Sequence, residues 1–75
     1  MTPAEIEAVI VDWIDRQLDT RCSPESNFGA LGLDSLDAVE LTEVLAEHLG
    51  LEEVPVNWIL DHPTPRSLAL RLAQP

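Results

Sequence analysis

The chain has 75 residues, 14 of them Asp or Glu against 4 Lys or Arg, so its formal charge is −10, while 45% of it is apolar. All four cations are arginines (Arg16, Arg21, Arg66, Arg71) and there is no lysine; no basic patch can neutralise phosphates, which argues against nucleic acid and against an anionic membrane surface as partners. No apolar run approaches the ~18 residues of a bilayer span, the first residues lack a leader's basic and apolar regions, and a domain of this size has little room for an enclosed catalytic cavity of about 300–1,000 Å³. The expectation is one small acidic domain over residues 1–75 that presents a surface to larger, basic partners. Cys22, the single cysteine, has no internal disulfide partner, and this fits a reducing cytoplasm. It reads as a plain loop cysteine, with no CxxC partner.

In chain order, Thr2-Pro3-Ala4-Glu5 combines a threonine N-cap, proline at the first helical position and Glu at the third. Ile6, Val9, Ile10, Trp13, Ile14 and Leu18 follow at helical spacing, which predicts a first helix over about residues 3–18. Residues 19–34 show no sustained period and hold the turn formers Ser23-Pro24, Asn27, Gly29 and Gly32. A loop this long needs its own apolar anchors, and Phe28, Leu31 and Leu33 can supply them. No alternating stretch is long enough for a strand.

A second helix is predicted from about Ser35 to Leu49, with Asp34 as N-cap and Gly50 as its left-handed stop. On a wheel, Ala38, Leu41, Leu45, His48 and Leu49 share the core sector, while Asp37, Glu40, Glu43 and Glu47 form an acidic stripe on the opposite half. Leu36 and Val39 fall outside the core sector. A short third helix covers about residues 56–61 and ends before His62-Pro63. Thr64-Pro65 repeats the opening signature and starts a fourth helix over about residues 65–73. The fold class is therefore all-α, a four-helix bundle with three longer helices, one short one and a long first loop. Its core should include Ile6, Ile10, Ile14, Phe28, Leu41, Leu45, Leu49 and Leu68. Trp13 and Trp58 belong at the core or its edge. His48 reads as structural, at the core edge of the second helix, and His62 as bonding the turn between the last two helices. Two histidines far apart in sequence make no metal site, and the stripe lacks the spacing of a calcium loop.

The informative segment is Gly32-Leu33-Asp34-Ser35-Leu36-Asp37-Ala38-Val39-Glu40-Leu41. On its own, Asp34-Ser35 is a helix cap, and a serine with no nearby base is not a nucleophile. Here, however, a long loop delivers the serine to the first turn of a helix, beside an unexpectedly apolar Leu36 and above an acidic stripe. This segment resembles the signature of the acyl carrier protein family, an Asp-Ser-Leu at the start of a second helix followed by acidic residues. The resemblance extends over nearly the whole chain in helix order, length and charge. Asp61-His62-Pro63-Thr64 looks like the corresponding stretch of polyketide-synthase carrier domains.

The resemblance implies that Ser35 carries a 4′-phosphopantetheine arm derived from coenzyme A and attached by a separate phosphopantetheinyl transferase. That enzyme would supply the base and Mg²⁺, so the chain itself needs no catalytic residues. Asp34, Leu36, Asp37, Val39, Glu40, Glu43 and Glu47 would form the face that meets partners. These would be acyltransferases, ketosynthases, or acyl- and aminoacyl-loading enzymes with basic docking surfaces, in polyketide or other secondary metabolism. The chain would be a free-standing cytoplasmic monomer. Two other readings stay open. Peptidyl carriers resemble this fold but usually show Gly-Gly-[His/Asp]-Ser, where this chain has Leu33 in place of the second glycine. An unmodified acidic helical adaptor would use Ser35 only as part of a cap.

The stripe places like charges at i, i+3 and i+4 with no lysine between them, and each such pair destabilises the helix by a few tenths of a kcal/mol. Added salt or divalent cations should therefore raise the melting temperature at neutral pH, as read by circular dichroism. An unchanged or lower melting temperature would count against this self-repulsion.

Overall fold

The computed structural model describes residues 1–74 and contains helices α1 (Pro3–Leu18), α2 (Ser35–Leu49), α3 (Asn57–Asp61) and α4 (Pro65–Leu72), with no strand among the described residues. Among the described residues no helix is long and apolar enough to cross a membrane. The elements form where local chemistry asks for them. Thr2, Asp34 and Thr64 each close a capping box, and Pro3 and Pro65 occupy the first helical positions of α1 and α4. Gly50 ends α2 with φ 67°, and the Leu51 N–H reaches the Ala46 carbonyl at 2.9 Å beyond it. Short α3 has no side-chain cap and is terminated at His62, whose N–H donates to the Trp58 carbonyl at 2.8 Å.

The core lies along one side of α1, where Ile6, Ile10 and Ile14 are buried. This row packs chiefly against α4, through Leu68 and Ala69, and more lightly against α2, through Leu41 and Leu45. Seven of the eight expected core residues are buried; Leu49 is only half-buried, because α2 ends there at the edge of the bundle. His48 departs further from its predicted place. It is exposed, in a shallow surface groove with Val9, Trp13 and Val44. The buried sector of α2 is narrower than its helical period predicts on that side, where α1 gives only light cover. Thr42 takes a buried position instead, its hydroxyl donating to the Val39 carbonyl at 2.7 Å. Trp13 and Trp58 both sit half-buried, and the Arg71 guanidinium stacks 4.0 Å over the Trp58 ring, which ties α3 to α4.

The long loop over residues 19–34 is held at several points. Asp15 accepts the Cys22 N–H at 2.5 Å, and Cys22 is buried rather than free in the loop. The Arg66 N–H donates to the Pro24 carbonyl at 2.9 Å, and the Phe28 N–H to the Pro63 carbonyl at 2.8 Å. Phe28 itself is buried in the core. Around it residues 27–33 coil tightly: the Leu31 and Leu33 N–H groups both reach the Phe28 carbonyl, at 3.2 and 3.1 Å, and Asn27 Oδ1 caps Ala30 at 3.1 Å. The coil turns out toward α2 at Gly32, whose φ of 91° favours glycine. Arg66 fastens the outside, with Glu25 at 3.0 Å and Glu7 at 3.7 Å.

Leu45 is fully buried, at 0% exposure. Leu45→Ala should cost about 2–5 kcal/mol in urea unfolding, transfer and cavity together. A cost near zero would mean that α2 is rotated from the packing described.

Candidate functional site

The loop delivers Leu33, Asp34 and Ser35 to the start of α2. Asp34 is extended (φ −93°, ψ 180°) and turns its carboxylate back onto the helix, accepting the Asp37 N–H at 2.8 Å; Asp37 in return accepts the Asp34 N–H at 3.4 Å. This box consumes the polar capacity that Ser35 would otherwise be asked to supply. Ser35 is the first residue of α2, it is exposed, and its hydroxyl takes part in no hydrogen bond among the described residues. The hydroxyls of Thr2, Ser23, Ser26, Thr42, Thr64 and Ser67 are all engaged; among the described residues only Thr20 shares the freedom of Ser35. The geometry commits the Asp34 carboxylate to the helix terminus, where the positive end of the dipole offsets its charge.

Beside Ser35 lies a cleft of about 310 Å³ between the coil, α2 and α3. Phe28, Leu33, Ala38, Ile59 and Leu60 give it apolar walls, with Asp34 and Ser35 on its rim. Leu60 is 77% exposed and is the functional candidate that sequence reasoning missed. A five-residue helix is too short for its period to reveal which face it turns outward.

The expected partner-facing residues divide into two sets. Leu36 and Val39 are exposed, as are Glu43 and Glu47 along the helix. Asp37 and Glu40 are half-buried: Asp37 is occupied by the cap, and Glu40 accepts from Gln17 Nε2 at 3.3 Å, a contact with α1 that the wheel of α2 alone could not show. Glu52 and Glu53, just past α2, continue the stripe around a surface cleft with Glu43 and Glu47. Among the described residues no group of three or more His, Cys, Asp or Glu side chains is placed to hold a metal ion.

The chain's one thiol is a poor rival to Ser35. Burial, and then the nearby Asp15 carboxylate, push the Cys22 thiol above its ordinary range, so it stays protonated at neutral pH. A 4′-phosphopantetheine group requires a free, accessible hydroxyl and surroundings that tolerate a phosphodiester. Ser35 offers the hydroxyl. The N–H groups of Ser35 and Leu36, with no intrachain acceptor among the described residues, face that requirement at a helix N-terminus. The residues present fit the group.

Comparison with known proteins agrees. A family model described as "Phosphopantetheine attachment site" matches residues 4–72. A phenolphthiocerol synthesis polyketide synthase of Mycobacterium bovis is 49% identical over 51 residues, covering 68% of this chain and 2% of the synthase. A pikromycin polyketide synthase component of Streptomyces venezuelae is 42% identical over 52 residues, covering 69% of this chain and 3% of that protein. The chain thus spans only a few hundredths of the length of these relatives. Among solved structures, a free-standing peptidyl carrier protein from an uncharacterized secondary metabolic pathway of Acinetobacter baumannii superposes with a TM-score of 0.85 at 26% identity, covering 95% of this chain and 91% of that one. With the family model covering almost every helical residue, the chain belongs to the phosphopantetheine attachment family: it is a carrier domain whose prosthetic group is 4′-phosphopantetheine.

Proposed function

We propose that Ser35 is the attachment residue and that the domain shuttles acyl groups between enzymes of a polyketide pathway, taking part as a covalent carrier and not as a catalyst. The observation that carries this reading is the exposed Ser35 hydroxyl, free of hydrogen bonds, at the head of α2. The polyketide setting is supported by 49% identity to a polyketide synthase over 51 residues. A peptidyl carrier has the same fold, but at 26% identity, so the acyl reading is the better supported.

In the attachment reaction, Ser35 Oγ attacks the phosphorus next to the pantetheine of coenzyme A. An O–P bond forms, the P–O bond to the adenosine bisphosphate breaks, and the serine proton passes to a base on the transferase. Once attached, the group supplies a terminal thiol on which acyl groups are held as thioesters. The domain's own residues then have two tasks. The Asp34–Asp37 box keeps the first turn of α2 formed and the serine projecting outward. Glu40, Glu43 and Glu47, with exposed Leu36 and Val39, present a charged face with a small apolar patch to each enzyme visited. A carrier must also leave every partner, and screened contacts of this kind favour fast exchange over tight binding.

Incubation of the purified chain with coenzyme A and a broad-specificity transferase should add the mass of one phosphopantetheine, and Ser35→Ala should abolish the gain. No gain on the native chain would favour the unmodified adaptor. For the docking face, Glu40→Gln and Glu47→Gln should each lower kcat/KM of a partner acyltransferase by about two- to fivefold, the scale of one solvent-screened charge contact. Ala8→Lys on α1 makes the same change in net charge and should leave it within error. Equal losses in all three variants would assign the effect to net charge and remove the recognition face from α2.

A further inference from the structure

Residues 23–26 of the first loop form a turn that bonds largely to itself. The Ser26 N–H reaches the Ser23 carbonyl at 3.1 Å, the Ser23 N–H reaches Ser26 Oγ at 2.9 Å, and the two serine hydroxyls meet at 2.9 Å. Among the described residues, the hydrogen bonds that attach this turn to a helix all come from Arg66, in the first turn of α4. Its N–H donates to the Pro24 carbonyl at 2.9 Å, and its guanidinium donates to Glu25 at 3.0 Å. The same guanidinium lies 3.7 Å from Glu7 of α1. One of only four cations thus joins α1, the first loop and α4. Phe28, two residues past the turn, continues the path toward the serine. Its N–H bonds the Pro63 carbonyl, and its carbonyl receives the Leu33 N–H at 3.1 Å, directly before Asp34 and Ser35.

We propose that Arg66 is a positioning residue for Ser35: an electrostatic latch that keeps the first loop closed on α1 and α4, and so fixes the segment that delivers the serine. This rests on the reading of Ser35 as the attachment residue. Apolar burial does little for the turn, since Ser23 and Glu25 are exposed and Pro24 and Ser26 only half-buried. A lone surface ion pair contributes little to such a turn, but here one guanidinium is ordered once and meets two carboxylates. With the latch open, the Pro24 and Phe28 bonds are left to hold the loop alone, and the coil before Asp34 samples more arrangements. The face of α2 is untouched by this change. The loss therefore falls on the alignment of Ser35 Oγ for attack, and not on docking.

The experiment pairs native-state hydrogen exchange with transferase kinetics on the full unmodified chain, using coenzyme A and a purified broad-specificity transferase. Arg66→Gln should lower protection of the Phe28 and Leu33 amides about three- to fivefold, and leave the helical amides of Ile10 and Leu45 within about 1.5-fold. Glu25→Gln should act in the same direction, although the two substitutions change the net charge in opposite senses. Added to Arg66→Gln, it should have no further effect, because the pair is already broken. About 1 M sodium chloride, which screens charges beyond ~3 Å, should lower Phe28 protection in the native chain and leave it unchanged in Arg66→Gln. In phosphopantetheinylation, Arg66→Gln should lower kcat about threefold with KM within about twofold, and Arg66→Lys should recover at least half of the loss. The proposal is overturned if Phe28 protection in Arg66→Gln stays within about 1.5-fold of native, or if Ile10 and Leu45 lose protection equally, which would make the effect global. It is overturned by a Glu25→Gln effect that persists in the Arg66→Gln background, and by an unchanged kcat. A rise in KM alone would also overturn it, by making Arg66 a contact of the enzyme. Failure of the Ser35 reading looks different, as no mass gain on the native chain or a gain that survives Ser35→Ala; the loop amides would still report the latch, but its role at Ser35 would fall.

Discussion

The burial of Phe28 is the constraint on which the rest of the site depends. Each residue of the first loop fixed in place costs about 1–2 kcal/mol of backbone entropy, and residues 19–34 have no helix or strand to recover it. Phe28 recovers part of it by entering the core at 3% exposure, and its N–H bonds the Pro63 carbonyl at 2.8 Å. One residue thereby joins the loop to the turn between α3 and α4, gives the cleft a wall, and leaves a coil short enough to bring Asp34 to the head of α2. The Arg66–Pro24 backbone bond and the Asp15–Cys22 contact hold the earlier half of the loop in the same way.

The charges are distributed as unevenly as they are numbered. Arg66 holds Glu7 and Glu25, Arg16 pairs with Asp12, and Arg71 lies on Trp58. None of these arginine contacts reaches α2. The scarce cations join α1, the first loop, α3 and α4, and the carboxylates of α2 are left without a cationic partner among the described residues. The negative field is therefore concentrated beside the serine by where the arginines are spent as much as by where the glutamates are placed.

Much of this was legible because it is local. Thr2, Asp34, Thr64 and Gly50 announce helix ends through bonds made within a few residues, and all four helices begin within one residue of their expected starts. The isoleucine row of α1 and the exposure of Leu36 and Val39 follow from helical period alone. What escaped depends on neighbours distant in the chain. His48 is exposed because α1 covers α2 lightly at that edge, Cys22 is buried because Asp15 draws it in, and Glu40 is partnered by Gln17 from α1. Leu60 escaped for a different reason: α3 has five residues, too few for a wheel to assign a face.

An activated acyl group tethered to a protein is exposed first to that protein's own nucleophiles. Any amine or thiolate within reach of the tether would meet it at high local concentration and could take it irreversibly or in a wasteful cycle. This chain has no lysine, and its one cysteine is buried with its thiol held protonated. The placement that makes Cys22 a loop anchor also keeps it from intercepting cargo. The side chains therefore offer the bond the chain would carry neither a lysine amine nor a thiolate, which removes two routes of self-acylation.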